Sequence, residues 1–270
     1  MSRGEALIDW YRQSARDLPW RATKDPYRIL VSEVMLQQTQ ASRVVPFYER
    51  FLASFPTVEA LAQAPLSEVV AAWSGLGYNN RAVRLREAAR VVVGQGWPTT
   101  AAGLRSLPGV GAYTAAAVAS FAFAEQVAVV DTNVKRVLGR WLGKPLSDRD
   151  ASDAATEELA SSADVWNQAV MELGATVCAP RQPRCGECPV SDWCADPSVY
   201  APPPKQSAFN GSARQVRSGV LRLLGADWTP VSALGGVTHH ADAVTTALES
   251  LRRDRLVEVS GDGTHARVAR

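Results

Sequence analysis

The sequence predicts a mainly α-helical protein whose helical part ends in a linker and a small winged-helix-like module. Three observations predict it. Apolar residues recur at helical spacing through most of the first 195 residues, few segments there alternate with period two, and composition breaks at a Pro-rich stretch, 196–213.

Asp25-Pro26 marks a helix start, because Asp accepts from orphan amides and Pro suits the first turn. The run behind it, YRILVSEVMLQQ, places Ile29, Leu30, Val34 and Met35 at roughly helical spacing. Similar patterns predict helices over 41–54, 57–63, 67–73, 79–94, 112–124, 132–142, 149–161 and 165–176. The stretch ADPSVYAPPPKQSAFNGSA reads as an extended linker. Beyond it, RQVRSGVLRLLG reads as a helix, and HHADAVTTALESLRRDRLVEV as a helix running into a strand. SGDGTHARV supplies a hairpin turn at Asp262-Gly263 and a second strand. The expected division is 1–195, linker 196–213 and module 214–270.

The chain has 270 residues, 46% hydrophobic and 21% charged, with a net charge of +2. That balance excludes disordered, collagen-like and disulfide-scaffold classes. The charge permits nucleic-acid binding without arguing for it. No apolar run approaches the roughly 20 residues that span a bilayer, and MSRGEALIDWYRQ lacks a signal-peptide core. The expected location is cytoplasmic, with no membrane contact.

Four segments carry chemistry. The four cysteines, Cys178, Cys185, Cys188 and Cys194, fall in one stretch spaced C-x6-C-x2-C-x5-C. Such bunching encloses one metal centre, zinc or a [4Fe–4S] cluster. The single C-x2-C knuckle with long arms favours the cluster, and the histidines are remote. The second segment is LPGVGAYTAAAVASFAF, 107–123. A glycine turn opening into a helix, behind the short helical stretch TAAGLRSL, forms a helix-hairpin-helix. Its outward amides at Gly109, Val110 and Gly111 suit a DNA phosphate. In AVVDTNVKRVLGR, Asp131 is placed either as a helix cap or as an acid beside a cationic sugar. In VSEVMLQQT, Glu33 interrupts an apolar helix; burial there would raise its pKa and let it donate a proton near neutrality.

Taken in order, these motifs resemble the helix-hairpin-helix DNA glycosylases with a [4Fe–4S] cluster, over roughly residues 5–195. Tyr113 stands in GAYTAAA where the lyase branch carries its Lys nucleophile, so a Schiff-base lyase is not expected. SEVMLQQT, GLGYNNRA (75–82) and WNQAVMELGATVC (166–178) resemble the adenine glycosylase branch. Thymine-mismatch relatives carry RRT where this chain has Gln37-Gln38-Thr39.

The resemblance implies an all-helical, two-lobed fold with a DNA cleft, and base excision by a monomer on double-stranded DNA holding adenine opposite 8-oxoguanine or guanine. It implies that Glu33 protonates N7 of the flipped adenine and that Asp131 stabilises, or transiently bonds, the oxocarbenium sugar. Tyr113 would support both acids, and Asn133 would position Asp131 or the water. Arg21 and Gln168 match positions lining the adenine pocket. Gln38, Leu76 and Tyr78 match positions that probe or wedge the stack around the opposite base. The four cysteines would hold the cluster, and its pinned loop would present Arg181 and Arg184 to phosphates. Rival expectations are excision of thymine or hypoxanthine opposite guanine, and a non-catalytic iron–sulfur DNA-binding regulator.

Two departures stand out. Thr132 sits where relatives often have Gly or Ser. Typical adenine glycosylases also carry a C-terminal Nudix-like domain that reads 8-oxoguanine; the tail here is expected to be too short for one, which leaves opposite-base dependence open.

Overall fold

The computed structural model describes residues 1–159, 162–200, 202, 208–238 and 241–269. Part of the predicted linker, the end of the helix predicted over 149–161, and His239-His240 at the predicted start of the last helix lie outside the described residues. The described chain is mainly helical. In order it forms α1 (Arg3–Ser14), α2 (Pro26–Leu36), α3 (Ala41–Ser54), α4 (Val58–Gln63), α5 (Leu66–Trp73), α6 (Asn80–Gln95) and α7 (Ala101–Leu104). Then follow α8 (Ala112–Phe123), α9 (Thr132–Trp141), α10 (Asp148–Glu158), α11 (Ala163–Thr176), α12 (Ala213–Leu223) and α13 (Ala241–Arg253). Among the described residues no helix is long and apolar enough to cross a membrane.

The chain packs as two units that do not follow sequence order. One holds residues 1–33, 98–106 and 110–204; the other holds 34–97, 107–109 and 205–270. The first unit builds its core from α1, α9, α10 and α11, around Leu7, Val137, Trp166 and Leu173. Helix α1, which the sequence reading did not single out, begins with a reciprocal capping box between Ser2 and Glu5. Helix α2 starts as expected, with the Tyr27 amide donating to Asp25 Oδ1 at 2.9 Å.

In the second unit, α5, α6 and the C-terminal module share one apolar core. Leu66, Val70 and Val83 pack with Val216, Val220, Leu234, Leu248 and Leu251. In the module a 3-10 segment, Val231–Val237, lies between α12 and α13. Three short strands, β1 (Thr229–Pro230), β2 (Val257–Val259) and β3 (His265–Val268), form an antiparallel sheet in the order β1-β3-β2. The hairpin turn falls where Asp262-Gly263 predicts it, and Asp262 Oδ1 accepts from the Ser260 hydroxyl and the Thr264 amide. Strand β1 was not expected; two residues carry no alternation to read.

One buried cation organises the second unit. Arg81 on α6 donates to the carbonyls of Val34, Met35 and Gln37 at 2.7, 3.1 and 2.8 Å, and to Gly77 at 3.1 Å. It thereby caps the C-terminal end of α2, where orphan carbonyls and the helix dipole favour a cation, and ties the GLGY turn to it. Burial pulls the Arg81 pKa down to about 10. Arg81→Met would leave these carbonyls without their donor, and is expected to lower stability by about 2–4 kcal/mol; urea unfolding measures it.

Candidate active site and cysteine loop

The first unit brings Glu33, Tyr113 and Asp131 together. Glu33 lies in α2, 5% exposed, among Leu30, Val31 and Ser32. Burial pushes its carboxyl up to about 7; the hydrogen bond with Tyr113 opposes this, the Asp131 charge adds to it, and Arg21 opposes it again. Glu33 Oε2 is buried with no hydrogen-bond partner among the described residues. Tyr113, in the first turn of α8, has its pKa raised well above its usual value by burial and then by the Glu33 and Asp131 charges, so its hydroxyl stays a donor.

Asp131 is the N-cap of α9. Its Oδ1 accepts from the Val134 amide at 2.7 Å, and its Oδ2 accepts from Asn133 Nδ2 at 2.8 Å. The cap and acid readings of Asp131 are thus compatible: a helix N-terminus holds the carboxylate in a fixed orientation. Asn133 is held in turn by Arg136, which donates to its Oδ1 at 3.0 Å and to the carbonyls of Gly174 and Cys178. A Cβ on Gly174 would lie 2.8 Å from the Asn133 Cβ, so only glycine lets α11 pass this close. The segment leading to Asp131 is fixed by buried Asn167. It accepts from the Val129 amide at 3.0 Å and donates to the Val127 carbonyl and the Ser120 hydroxyl.

Arg21 and Gln168 lie at a second cluster in the same unit. Arg21 donates to Glu172 Oε2 at 2.6 Å, and Arg16 makes a two-pronged contact with Glu172 at 2.7 and 2.9 Å. Burial works to raise the Glu172 carboxyl, but the bonds and charges of Arg16 and Arg21 outweigh it and hold it low. The Tyr11 hydroxyl donates to Gln168 Oε1 at 2.6 Å, and the Arg21 guanidinium lies 5.4 Å from the Tyr11 ring centre. Tyr11, Arg16, Asn167 and Glu172 were not foreseen. The available signal was Glu172 itself, an acid inside the apolar run AVMELG.

In the second unit, Gln38 and Tyr78 are exposed, whereas Leu76 is buried in its own turn. In the turn before α8, Gly109 and Gly111 are exposed and Val110 is buried. Gly109 has φ +78°, and a Cβ there would meet Arg84 at 2.7 Å. The first turn of α8 has no side-chain cap.

The four cysteines ring a cavity of about 120 Å³ whose other walls include Trp141, Leu173 and Val177. Among the described residues no three His, Cys, Asp or Glu side chains gather tightly enough for one shared ion. A cavity of this size has room for a body several atoms across. Buried Arg140 braces the loop, donating to Cys178 Sγ at 3.1 Å and to the Ala179 and Pro180 carbonyls. The donor set and cavity fit an iron–sulfur cluster. Of the two loop cations expected to face phosphates, Arg181 is exposed, while Arg184 pairs with Glu187 and donates to the Thr176 carbonyl.

The chain is similar to known proteins. The profile of the HhH-GPD superfamily of base excision DNA repair proteins matches residues 31–162, and that of the iron–sulfur binding domain of endonuclease III matches 178–194. The adenine DNA glycosylase of Mycobacterium tuberculosis is 43% identical over 96% of this chain and 91% of its own length. The human adenine DNA glycosylase is 44% identical over 70% of this chain and 38% of its own. A thermostable thymine-DNA glycosylase superposes with a TM-score of 0.67 at 33% identity, covering 71% of this chain and 93% of its own. Endonuclease III in a non-covalent DNA complex superposes with a TM-score of 0.62 at 21% identity, over 73% and 97%, a likeness of fold.

Proposed function

The chain belongs to the adenine DNA glycosylase family, with a helix-hairpin-helix fold and a [4Fe–4S] domain, and on that premise we propose that it acts as a monomer on double-stranded DNA, hydrolysing the N-glycosidic bond of adenine opposite 8-oxoguanine or guanine. The observation that carries the proposal is Glu33, its carboxyl pushed up to about 7 beside Tyr113 and within reach of the Asp131 charge. A carboxyl that keeps its proton near neutrality, beside a group able to face a cationic sugar, is what depurination of a neutral base needs.

A base inside a duplex is out of reach, so adenine must first leave the stack, at a cost of about a few kcal/mol. Arg21 and Gln168 line its pocket, while Gln38, Leu76 and Tyr78 act on the stack around the opposite base. The backbone at Gly109, Val110 and Gly111 holds a phosphate. Protonated Glu33 gives its proton to adenine N7. The C1′–N9 bond then breaks with its electron pair going to the base. Asp131, oriented by Asn133 and Tyr113, stabilises the cationic sugar. Water adds at C1′, and the proton it loses restores Glu33.

Cys178, Cys185, Cys188 and Cys194 hold the cluster, which fixes the loop; hydrolysis needs no electron. Cys185→Ser is expected to lose iron and the yellow-brown colour, and to weaken duplex affinity on the order of tenfold, as when one or two phosphate contacts are lost. Iron analysis and a binding titration check this; unchanged values would refute it.

The function is tested by single-turnover excision on a duplex holding adenine opposite 8-oxoguanine, with Asp131→Asn as control. Release of no adenine by the native protein would end the proposal. A second reading, thymine opposite guanine, draws on the 33% identical thymine-DNA glycosylase. A panel of mispaired duplexes separates the two, and Gln37-Gln38-Thr39 favours adenine. Enzyme-family membership sets aside the non-catalytic regulator.

A further inference from the structure

Helix α6 carries four arginines, Arg81, Arg84, Arg86 and Arg90. Three of them are committed to main-chain carbonyls of the second unit. Arg81 caps α2 as described, Arg86 donates to the Ala64 carbonyl at 2.7 Å, and Arg90 donates to the Ala62 carbonyl at 3.1 Å. Arg84 differs. It is exposed, and among the described residues it makes no hydrogen bond or ion pair, not even with Glu87 on the next turn.

The glycine turn defines its place. The Arg84 stem lies flat on Gly109, which belongs to the same unit. A Cβ added to Gly109 would stand 2.7 Å from Arg84 Cβ, 3.0 Å from Cδ and 3.4 Å from Cγ. Glycine is therefore required twice, for its φ of +78° and for the passing stem. The guanidinium begins directly beyond Cδ, so packing holds the cation beside the turn while its donors stay open to solvent.

The turn itself lacks a full charge. The first turn of α8 behind it has no side-chain cap, which suits an outside anion. A helix N-terminus offers that anion about half a charge, whereas a phosphodiester carries a whole one. With a net charge of +2 the chain as a whole adds little. A guanidinium supplies the missing charge in a form whose fork matches phosphate oxygens.

We propose that Arg84 is a DNA-binding residue, its guanidinium bonding the backbone phosphate that the glycine turn holds. The proposal rests on the duplex-binding part of the reading above.

The test uses the full-length, iron-loaded protein and measures duplex affinity against salt concentration. Native, Arg84→Ala, Arg84→Gln, Arg84→Lys and Arg149→Ala forms are compared on a duplex holding adenine opposite 8-oxoguanine and on a fully paired one. Arg84→Gln keeps a stem on Gly109 and drops the charge. Arg149, whose side chain is 91% exposed on α10, controls for charge lost elsewhere. Iron content and thermal midpoints identify any misfolded variant. Arg84→Ala and Arg84→Gln are expected to weaken binding to both duplexes about tenfold, and to lower the slope of log affinity against log salt by about one. Arg84→Lys should recover the slope, because an ammonium also displaces a counterion. Arg149→Ala should match the native protein. The proposal fails if Arg84→Gln keeps the native slope, or if Arg149→Ala lowers it equally. It also fails if the loss is confined to the mispaired duplex, which would mean a contact to a base. Adenine release by the native protein is followed in parallel. Binding without release would end the glycosylase reading and leave the Arg84 contact standing, whereas binding to neither duplex would overturn both.

Discussion

Replacing Glu33 with Gln is expected to slow adenine release sharply while making the protein more stable at pH 8. The carboxyl rises from 4.5 to about 7 in the folded chain, first because of burial. Below about pH 4.5 both folded and unfolded states keep the proton, and the site adds nothing to the pH dependence of stability. Between 4.5 and about 7 the unfolded chain ionises while the folded one does not. Stability therefore falls through that window and levels off above it, by about 3 kcal/mol. The neutral amide of the Glu33→Gln variant carries no such penalty, so the variant should gain up to that amount at pH 8 and almost nothing at pH 4. Urea midpoints at the two pH values measure the difference; an equal shift at both would contradict it. The same substitution removes the proton donor, a loss of roughly 10²–10⁴ in rate. The native rate should fall about tenfold per unit above pH 7, a slope the variant lacks. Gain in stability with loss of activity would mark Glu33 as a group retained for chemistry.

Much of this site is written locally. Asp25-Pro26 sets the start of α2 and so the position of Glu33, and the glycine turn at 109–111 sets the start of α8 and so of Tyr113. The cysteine spacing, confined to one loop, could be read without knowing what packs on it. The supporting charges could not. Arg81, Arg140 and Glu172 are 9%, 1% and 0% exposed, yet each sits in a helix where a charge ordinarily marks the solvated face. Their burial depends on carbonyls and partners far off in sequence, from 38 residues for Cys178 and Arg140 to 156 for Arg16 and Glu172. Periodicity cannot report such partners. The same limit applies to the packing of the C-terminal module, which reads in sequence as a tail behind a Pro-rich stretch but is built into the core of α5 and α6.

Asp131→Asn should separate the two tasks of that carboxylate. Asn caps a helix about as well as Asp, so the Val134 amide keeps its acceptor, and folding should change by no more than about 1 kcal/mol, the share of the helix dipole. The amide carries no charge to place against a cationic sugar. Loss of one such preorganised electrostatic partner costs about 10²–10³ in rate, the range expected for removing the charge of half-buried Asp131. Duplex binding should survive, because the phosphate-holding backbone proposed at Gly109, Val110 and Gly111 does not include Asp131. Asp131→Ala gives the complementary result: it removes the charge and the cap together, adding a loss of about 1 kcal/mol in stability and freeing Asn133 from its partner at Oδ2. If Asn and Ala variants lose activity equally while only the Ala variant loses stability, the cap and the chemistry are independent functions of one side chain. Near-native excision by the Asn variant would show that Asp131 serves α9 alone, and that the positive sugar must be met by some other group.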